Sequence, residues 1–313
     1  MILTVTPNPA IDVTYHVAAL EVGESHRVAV PAVRAGGKGI NVARVVAQTG
    51  GHVFALTTAG GPAGLRLADD LLASGLPHEV VRVAAQTRTS VAIMDETSGL
   101  TTIFNETGSA LQQDEWASLA DTVERLAVPA TCLVGSGSLP PDAPEDFYAR
   151  LVLVARDHGI PSIVDATGPG LLLAAEAGAT VLKPNRRELI ESTGETDPVA
   201  GAARLLGLGA GLVLVSLGER GMLAVSAPAS SAPASSSVDV LTARLPHPLH
   251  GNATGAGDAG VAAVASCLAA GVTDPETLLR RATAWSAAAV LAPLAGELDP
   301  CYAELEARLV LTC

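Results

Sequence analysis

Short apolar runs alternate with amphipathic helical patterns along most of this 313-residue chain, and that rhythm leaves few folds open. Runs that read as strands are Ile2–Thr6, Val53–Thr58, Thr131–Gly135, Ser162–Asp165, Thr180–Leu182, Leu212–Ser216 and Met222–Val225. Between them, helical patterns cover Ile40–Thr49, Gly64–Ser74, Glu115–Leu126, Glu145–Asp157, Pro198–Leu206, Ala256–Ala270 and Pro275–Ala292. Gly50 and Gly75 follow helix ends, while Pro62 and Pro275 stand near helix starts, the places their backbones suit. Such β–α alternation predicts a parallel sheet with helices packed on both faces.

Two stretches break the rhythm. Asp12–Arg34 and Thr87–Asn105 read as strand without an intervening helix, and together predict a small second sheet placed as a lid. The expected fold is α/β: a doubly wound, mostly parallel sheet plus a small β-sheet lid, in one domain over residues 1–313. The lid strands come from about 12–34 and 87–105. Ser226–Ser237, an Ala/Ser/Pro run, is expected to be a flexible loop between two strands.

Hydrophobic residues make up 49% and charged residues 16%, which excludes intrinsic disorder. A mean hydropathy of +0.38 raises the question of a membrane span. Two uncharged helical windows, Ala259–Thr273 and Ala282–Gly296, fall short of the roughly 18–20 residues a spanning helix needs. The N-terminus has no basic region before its first strand, so no secretory signal is expected. Cys132, Cys267, Cys301 and Cys313 lack metal or redox spacing, and the expectation is a reducing cytoplasm. Nineteen basic against 32 acidic residues give a net charge of −13 without basic runs, which argues against nucleic acid or an anionic membrane as partner.

Only two of the basic residues are lysines, Lys38 and Lys183, and each lies inside a dense polar motif. Three motifs carry chemistry. The first is N-A-T-G-A-G-D-A-G, Asn252–Gly260, ahead of an Ala/Val helix. There the amides of Gly255, Ala256 and Gly257 are expected to point out of the helix start, where unpaired N–H groups favour an anion. Asp258, in the first turn, is expected to stay ionised. An anion hole beside a carboxylate suits phosphoryl transfer to a hydroxyl. The string also fits G-x-G-x-x-G, but no buried strand precedes it, so a nicotinamide dehydrogenase rests on that match alone. A plain glycine turn capped by Asp258 is the structural alternative.

The second motif is A-G-G-K-G-I-N, Ala35–Asn41, in which Gly36, Gly37 and Gly39 free the backbone and Lys38 and Asn41 offer a charge and an amide. It lacks the P-loop spacing, and a small polyol or its phosphate fits it. The third is V-L-K-P-N-R-R-E, Val181–Glu188, where Asn185 and Glu188 at i, i+3 share one helix face and suit Mg²⁺ held largely through water. The loops Ser136–Pro141 and Ser216–Gly221 also follow predicted strands and belong to the same carboxyl edge of the sheet. His247 and His250 lie in a two-proline loop without a third ligand and are not read as a metal site.

Together these residues resemble the ribokinase-like (PfkB) carbohydrate kinase family, in its 1-phosphofructokinase and tagatose-6-phosphate kinase branch. The resemblance runs from T-P-N-P-A-I-D (Thr6–Asp12) through A-G-G-K-G-I-N, T-R-T-S (Thr87–Ser90), F-N-E-T-G (Phe104–Gly108), S-G-S-L-P, K-P-N-R-R-E and S-L-G-E-R-G to T-G-A-G-D. It implies a ribokinase-like fold whose lid sheet often forms a homodimer. It also implies an ATP- and Mg²⁺-dependent kinase acting on a sugar phosphate, D-fructose 1-phosphate before D-tagatose 6-phosphate. By resemblance Asp258 is the catalytic base and Gly255–Gly257 the anion hole. Asp12, Gly36, Gly37 and Asn41 hold sugar hydroxyls; Lys38, Arg88 and Ser138 meet the sugar's phosphate; and Asn105 reaches the substrate from the lid. Lys183, Asn185 and Glu188 face the nucleotide phosphates and Mg²⁺, and Ser216, Gly218 and Gly221 form the nucleotide-side loop. Trp285 falls where relatives line the adenine pocket and is expected to narrow it or to stack in it. A catalytically silent sugar-phosphate sensor is the alternative from another class.

Overall fold

The computed structural model describes residues 1–228 and 238–312, so most of the Ala/Ser/Pro run lies outside the described residues. The chain starts with β1 (Ile2–Thr6), β2 (Ala10–Val17) and β3 (Ala32–Gly36), then α1 (Lys38–Gln48). β4 (Val53–Ala59), α2 (Gly61–Ala73) and β5 (His78–Arg82) come next, followed by the hairpin β6 (Arg88–Asp95) and β7 (Thr101–Asn105). Alternation resumes with α3 (Gln113–Ala127), β8 (Cys132–Ser136), α4 (Phe147–Asp157), β9 (Ser162–Asp165), α5 (Pro169–Glu176) and β10 (Val181–Leu182). After α6 (Arg186–Thr193) and α7 (Pro198–Leu208) come β11 (Leu212–Ser216), β12 (Met222–Ser226) and β13 (Asp239–Arg244). The last elements are α8 (Ala256–Ala269), α9 (Pro275–Val290), α10 (Tyr302–Ala307) and β14 (Val310–Thr312).

Among the described residues the main sheet has the order β14-β13-β12-β11-β10-β9-β8-β1-β4-β5. It is parallel from β5 to β11 and antiparallel from β11 to β14. Successive strand residues serve opposite faces: Ile2 and Cys132 pack under α1, α2 and α8–α10, whereas Leu3 and Leu133 pack under α3–α7. Nearly all of α8 is buried, which a helix of Ala, Gly and Val tolerates because it approaches its neighbours α1 and α9 closely. No described helix is long and apolar enough to cross a membrane. Cys132 and Cys267 are buried as small apolar side chains.

The chain leaves β1 toward β4 and β5, then crosses back to β8 on the other side. The carboxyl ends of β1 and β8 therefore flank the crevice at which open α/β sheets take ligands. Over this edge stands the second sheet, in the order β3-β2-β6-β7, where β2 and β6 pair in parallel although about 75 residues separate them. Only Gly37 separates β3 from α1.

Candidate active site

The strand ends and the small sheet enclose a cleft of about 1530 Å³. Asp258, Gly255, Ala256 and Gly257 line it, together with Asp12, Gly37, Lys38, Asn41, Arg88, Asn105 and Ser138. Lys183, Asn185, Glu188, Ser216, Gly218 and Gly221 line it as well. Gly36 does not: it lies behind Asp12, and a Cβ there would strike the Asp12 carboxylate. Its placement is that of a spacer against Asp12 rather than of a residue open to a sugar.

At the start of α8, Gly255 is left-handed (φ 83°), and a Cβ on it would lie 2.9 Å from Ala295 Cα. The amides of Gly257 and Asp258 find no acceptor among the described residues and stand at the helix's positive end. Ala256 departs from its expected place in that set. Its N–H closes the turn onto the Ala253 carbonyl at 3.2 Å, and so does not face an incoming anion.

Asp258 is 6% exposed. Position in the first helical turn was expected to keep it ionised, but the helix buries the carboxyl, and water is lost from around it. Burial pushes its pKa up to about 7, against the pull of the Lys38 ammonium, the Asn41 hydrogen bond and Lys183. Asn41 Nδ2 donates to Asp258 Oδ2 at 2.8 Å, so in this structure Asn41 orients the carboxylate.

Lys38 and Arg88, expected as one clamp, stand in separate charge neighbourhoods. The Lys38 ammonium donates to Asp165 Oδ1 at 3.0 Å and to Glu188 Oε1 at 3.1 Å. Burial opposes its charge, but Asp165, Glu188 and Asp258 together hold its pKa well above the usual lysine range. Arg88 instead donates through Nε to the Asn8 carbonyl and through Nη1 to the Glu106 carbonyl, both at 3.2 Å. Burial lowers its pKa from the usual arginine value, while Asp12 and Glu106 raise it. Asp12 is pushed up to about 6 by burial, with Arg88, Arg34 and Arg44 pulling the other way.

Asp165, at the end of β9, was not read from the sequence. Its side chain is 2% exposed and lies 3.0 Å from Lys38 and 4.0 Å from Lys183. Burial works against its charge, but the two ammonium groups, Lys38 foremost, hold its pKa below the ordinary carboxylate value. Its signal was an Asp at a strand's carboxyl end; the lysines that explain it arrive from β10 and α1. Asn8 was missed as well.

Asn185 and Glu188 form a capping box on α6: Asn185 Oδ1 accepts from the Glu188 amide at 2.9 Å and Glu188 Oε2 from the Asn185 amide at 2.8 Å. No group of three His, Cys, Asp or Glu able to hold a metal ion forms among the described residues. Asn185 and Glu188 spend their oxygens on the box and on Lys38, so they fit a cation that meets the protein through water rather than directly. At the far end Met222, Leu245, Leu249, Ala287 and Val290 make an apolar wall suited to a flat ring. Trp285 neither narrows this wall nor offers a ring to stack there. Its ring is buried on the other side of α9, edge-on to Tyr302 with centroids 5.5 Å apart. The G-x-G-x-x-G match follows an irregular segment after β13, without the strand a dinucleotide fingerprint requires.

The pfkB family carbohydrate kinase profile matches residues 6–300. The chain belongs to that family. It is therefore a phosphotransferase with an alcohol group as acceptor. It is 36% identical over 294 residues to the 1-phosphofructokinase of Xanthomonas campestris pv. campestris, covering 91% of this chain and 89% of the relative. To the ATP-dependent 6-phosphofructokinase isozyme 2 of Mycobacterium tuberculosis it is 35% identical over 276 residues, covering 86% and 78%. The solved structure of phosphofructokinase-2 from Escherichia coli, in complex with potassium, superposes with a TM-score of 0.86. The identity is 30%, and 98% of each chain is covered.

Proposed function

We propose that this kinase transfers the γ-phosphoryl group of ATP to a hydroxyl of a phosphorylated ketohexose in the cytoplasm, D-fructose 1-phosphate giving fructose 1,6-bisphosphate. The observation that carries the substrate is Arg88. Its guanidinium faces the cleft, is held by two neutral carbonyls, and makes no ion pair among the described residues. A fork positioned in this way, with the Asp12 and Glu106 carboxylates near it but not bonded to it, is open to pair with an anion. The 1-phosphofructokinase relative supports the same choice.

Asp258 accepts the hydroxyl proton as the new O–P bond forms and the bond to the bridging oxygen of the triphosphate breaks, releasing ADP. The amides of Gly257 and Asp258 receive charge on the moving group, and Lys38 stands beside it. Asn185 and Glu188 would hold Mg²⁺ through water; when bound, that ion screens the triphosphate's charge. Asp12 and Asn105 face the sugar, while Lys183, Ser216, Gly218 and Gly221 face the nucleotide. The exposed Val33, Ile103 and Phe104 on the small sheet support a homodimer through that sheet.

ADP release measured with fructose 1-phosphate, fructose 6-phosphate, tagatose 6-phosphate and free fructose tests the substrate. The phosphorylated ketohexoses should exceed free fructose in kcat/KM by about a hundredfold, with fructose 1-phosphate highest. Equal or faster turnover of free fructose would remove the role given to Arg88.

Asn41→Leu removes the donor that favours the ionised form of Asp258. The acid limb of the kcat/KM profile, near pH 7 in the parent, should move up by about one unit. An unmoved limb would detach Asn41 from Asp258.

A further inference from the structure

Asn8 sits in the connection Pro7-Asn8-Pro9 between β1 and β2, is 8% exposed, and faces the cleft. The flanking prolines carry no N–H, so the donors this connection itself offers are those of Asn8. Its Nδ2 donates to the Thr107 carbonyl at 3.1 Å and to the Ser138 hydroxyl at 3.2 Å, which uses both of its hydrogens. Its main-chain carbonyl accepts from Arg88 Nε at 3.2 Å, and Arg88 Nη1 reaches Glu106, the neighbour of Thr107. One residue thus joins the β1–β2 connection, the segment after β7 and the loop after β8. Gly108 fits this corner closely: its φ is +88°, and a Cβ there would come within 2.6 Å of Asn8 Oδ1.

The direction of these bonds matters. Because Ser138 accepts from Asn8, its own hydroxyl hydrogen is free to donate elsewhere. Because Arg88 is held by carbonyls, it is oriented without being neutralised. We infer that Asn8 is a positioning residue for the sugar's phosphate, aiming the Arg88 guanidinium and the Ser138 hydroxyl at the same anion. This rests on the sugar-phosphate reading above.

Asn8→Asp keeps the size and reverses the donors. A carboxylate would draw the Ser138 hydrogen to itself, face the Thr107 carbonyl without a proton to offer, and add negative charge beside the phosphate. Asn8→Ala removes the donors and adds nothing. Steady-state kinetics of the full chain with fructose 1-phosphate and with free fructose separate the possibilities. For fructose 1-phosphate, KM should rise about tenfold in Asn8→Ala and further in Asn8→Asp. The loss should fall on KM rather than kcat, and the KM for free fructose should hardly move. A parent enzyme that does not distinguish the two sugars overturns the substrate reading. A parent that does distinguish them, with a preference that survives both substitutions or variants that lose both sugars equally, overturns the role of Asn8.

Discussion

Asp258→Asn should lower kcat about a thousandfold while leaving the sugar phosphate bound, and at the same time should make the folded protein more stable at neutral pH. Both results have one cause. The carboxyl is buried, and its pKa is pushed up to about 7 from an ordinary value of 3.8. A base near the working pH is ionised often enough to react and basic enough to take a proton. The same burial costs stability wherever the folded chain must hold a charge that the unfolded chain holds freely. Below about pH 4 both states are protonated, and there is no cost. Between the two values the folded state binds a proton that the unfolded state releases, so stability falls as pH rises, and above about pH 7 the cost is complete. The amide should therefore raise Tm at pH 8 and leave it almost unchanged at pH 4. Turnover within a few-fold of the parent would remove Asp258 from the reaction; an unchanged Tm at pH 8 would remove the burial argument.

Asp165→Asn is expected to damage the protein more widely. It leaves Lys38 with Glu188, but among the described residues the Lys183 side chain, 3% exposed, keeps only the Ser216 hydroxyl at 3.5 Å. Removing one partner from a buried charge pair costs about 3–5 kcal/mol, and Tm should fall by roughly 5 °C or more. The loss should shrink in acid. Asp165 is held below the ordinary carboxylate range by its lysines, so its contribution is present at neutral pH and disappears as pH falls through that depressed value. Adding Lys183→Met removes the stranded ammonium and should recover much of the melting temperature while turnover stays low. An unaltered Tm in the single variant would show that Asp165 does not compensate the buried lysines.

The parallel half of the main sheet was legible because its strands, such as Ile2–Thr6 and Ser162–Asp165, are short runs centred on Ile, Leu or Val and buried along their whole length. Its edges were not. His78–Arg82, Asp239–Arg244 and Val310–Thr312 are short and largely polar or exposed, and pairing with a neighbour rather than hydrophobicity makes them strands. The α6 start was visible but ambiguous: Asn185 and Glu188 spell a capping box as readily as a cation site. Most predicted cleft residues lay in motifs at strand ends, where topology alone brings them together. Asp165 was invisible since its first partner, Lys38, is 127 residues away. Asp258 was placed correctly in the helix but judged from its position there, whereas its proton affinity follows from burial that only the packed α8 creates.

The single glycine between β3 and α1 has a mechanical consequence. A tilt of the small sheet cannot be absorbed along a loop there; it passes through one residue into the helix whose first turn bears Lys38 and Asn41. The small sheet and the proton acceptor are thereby linked through one joint, since Asn41 on that same first turn holds Asp258 at 2.8 Å, and a chain with residues inserted beside Gly37 should lose both alignments together.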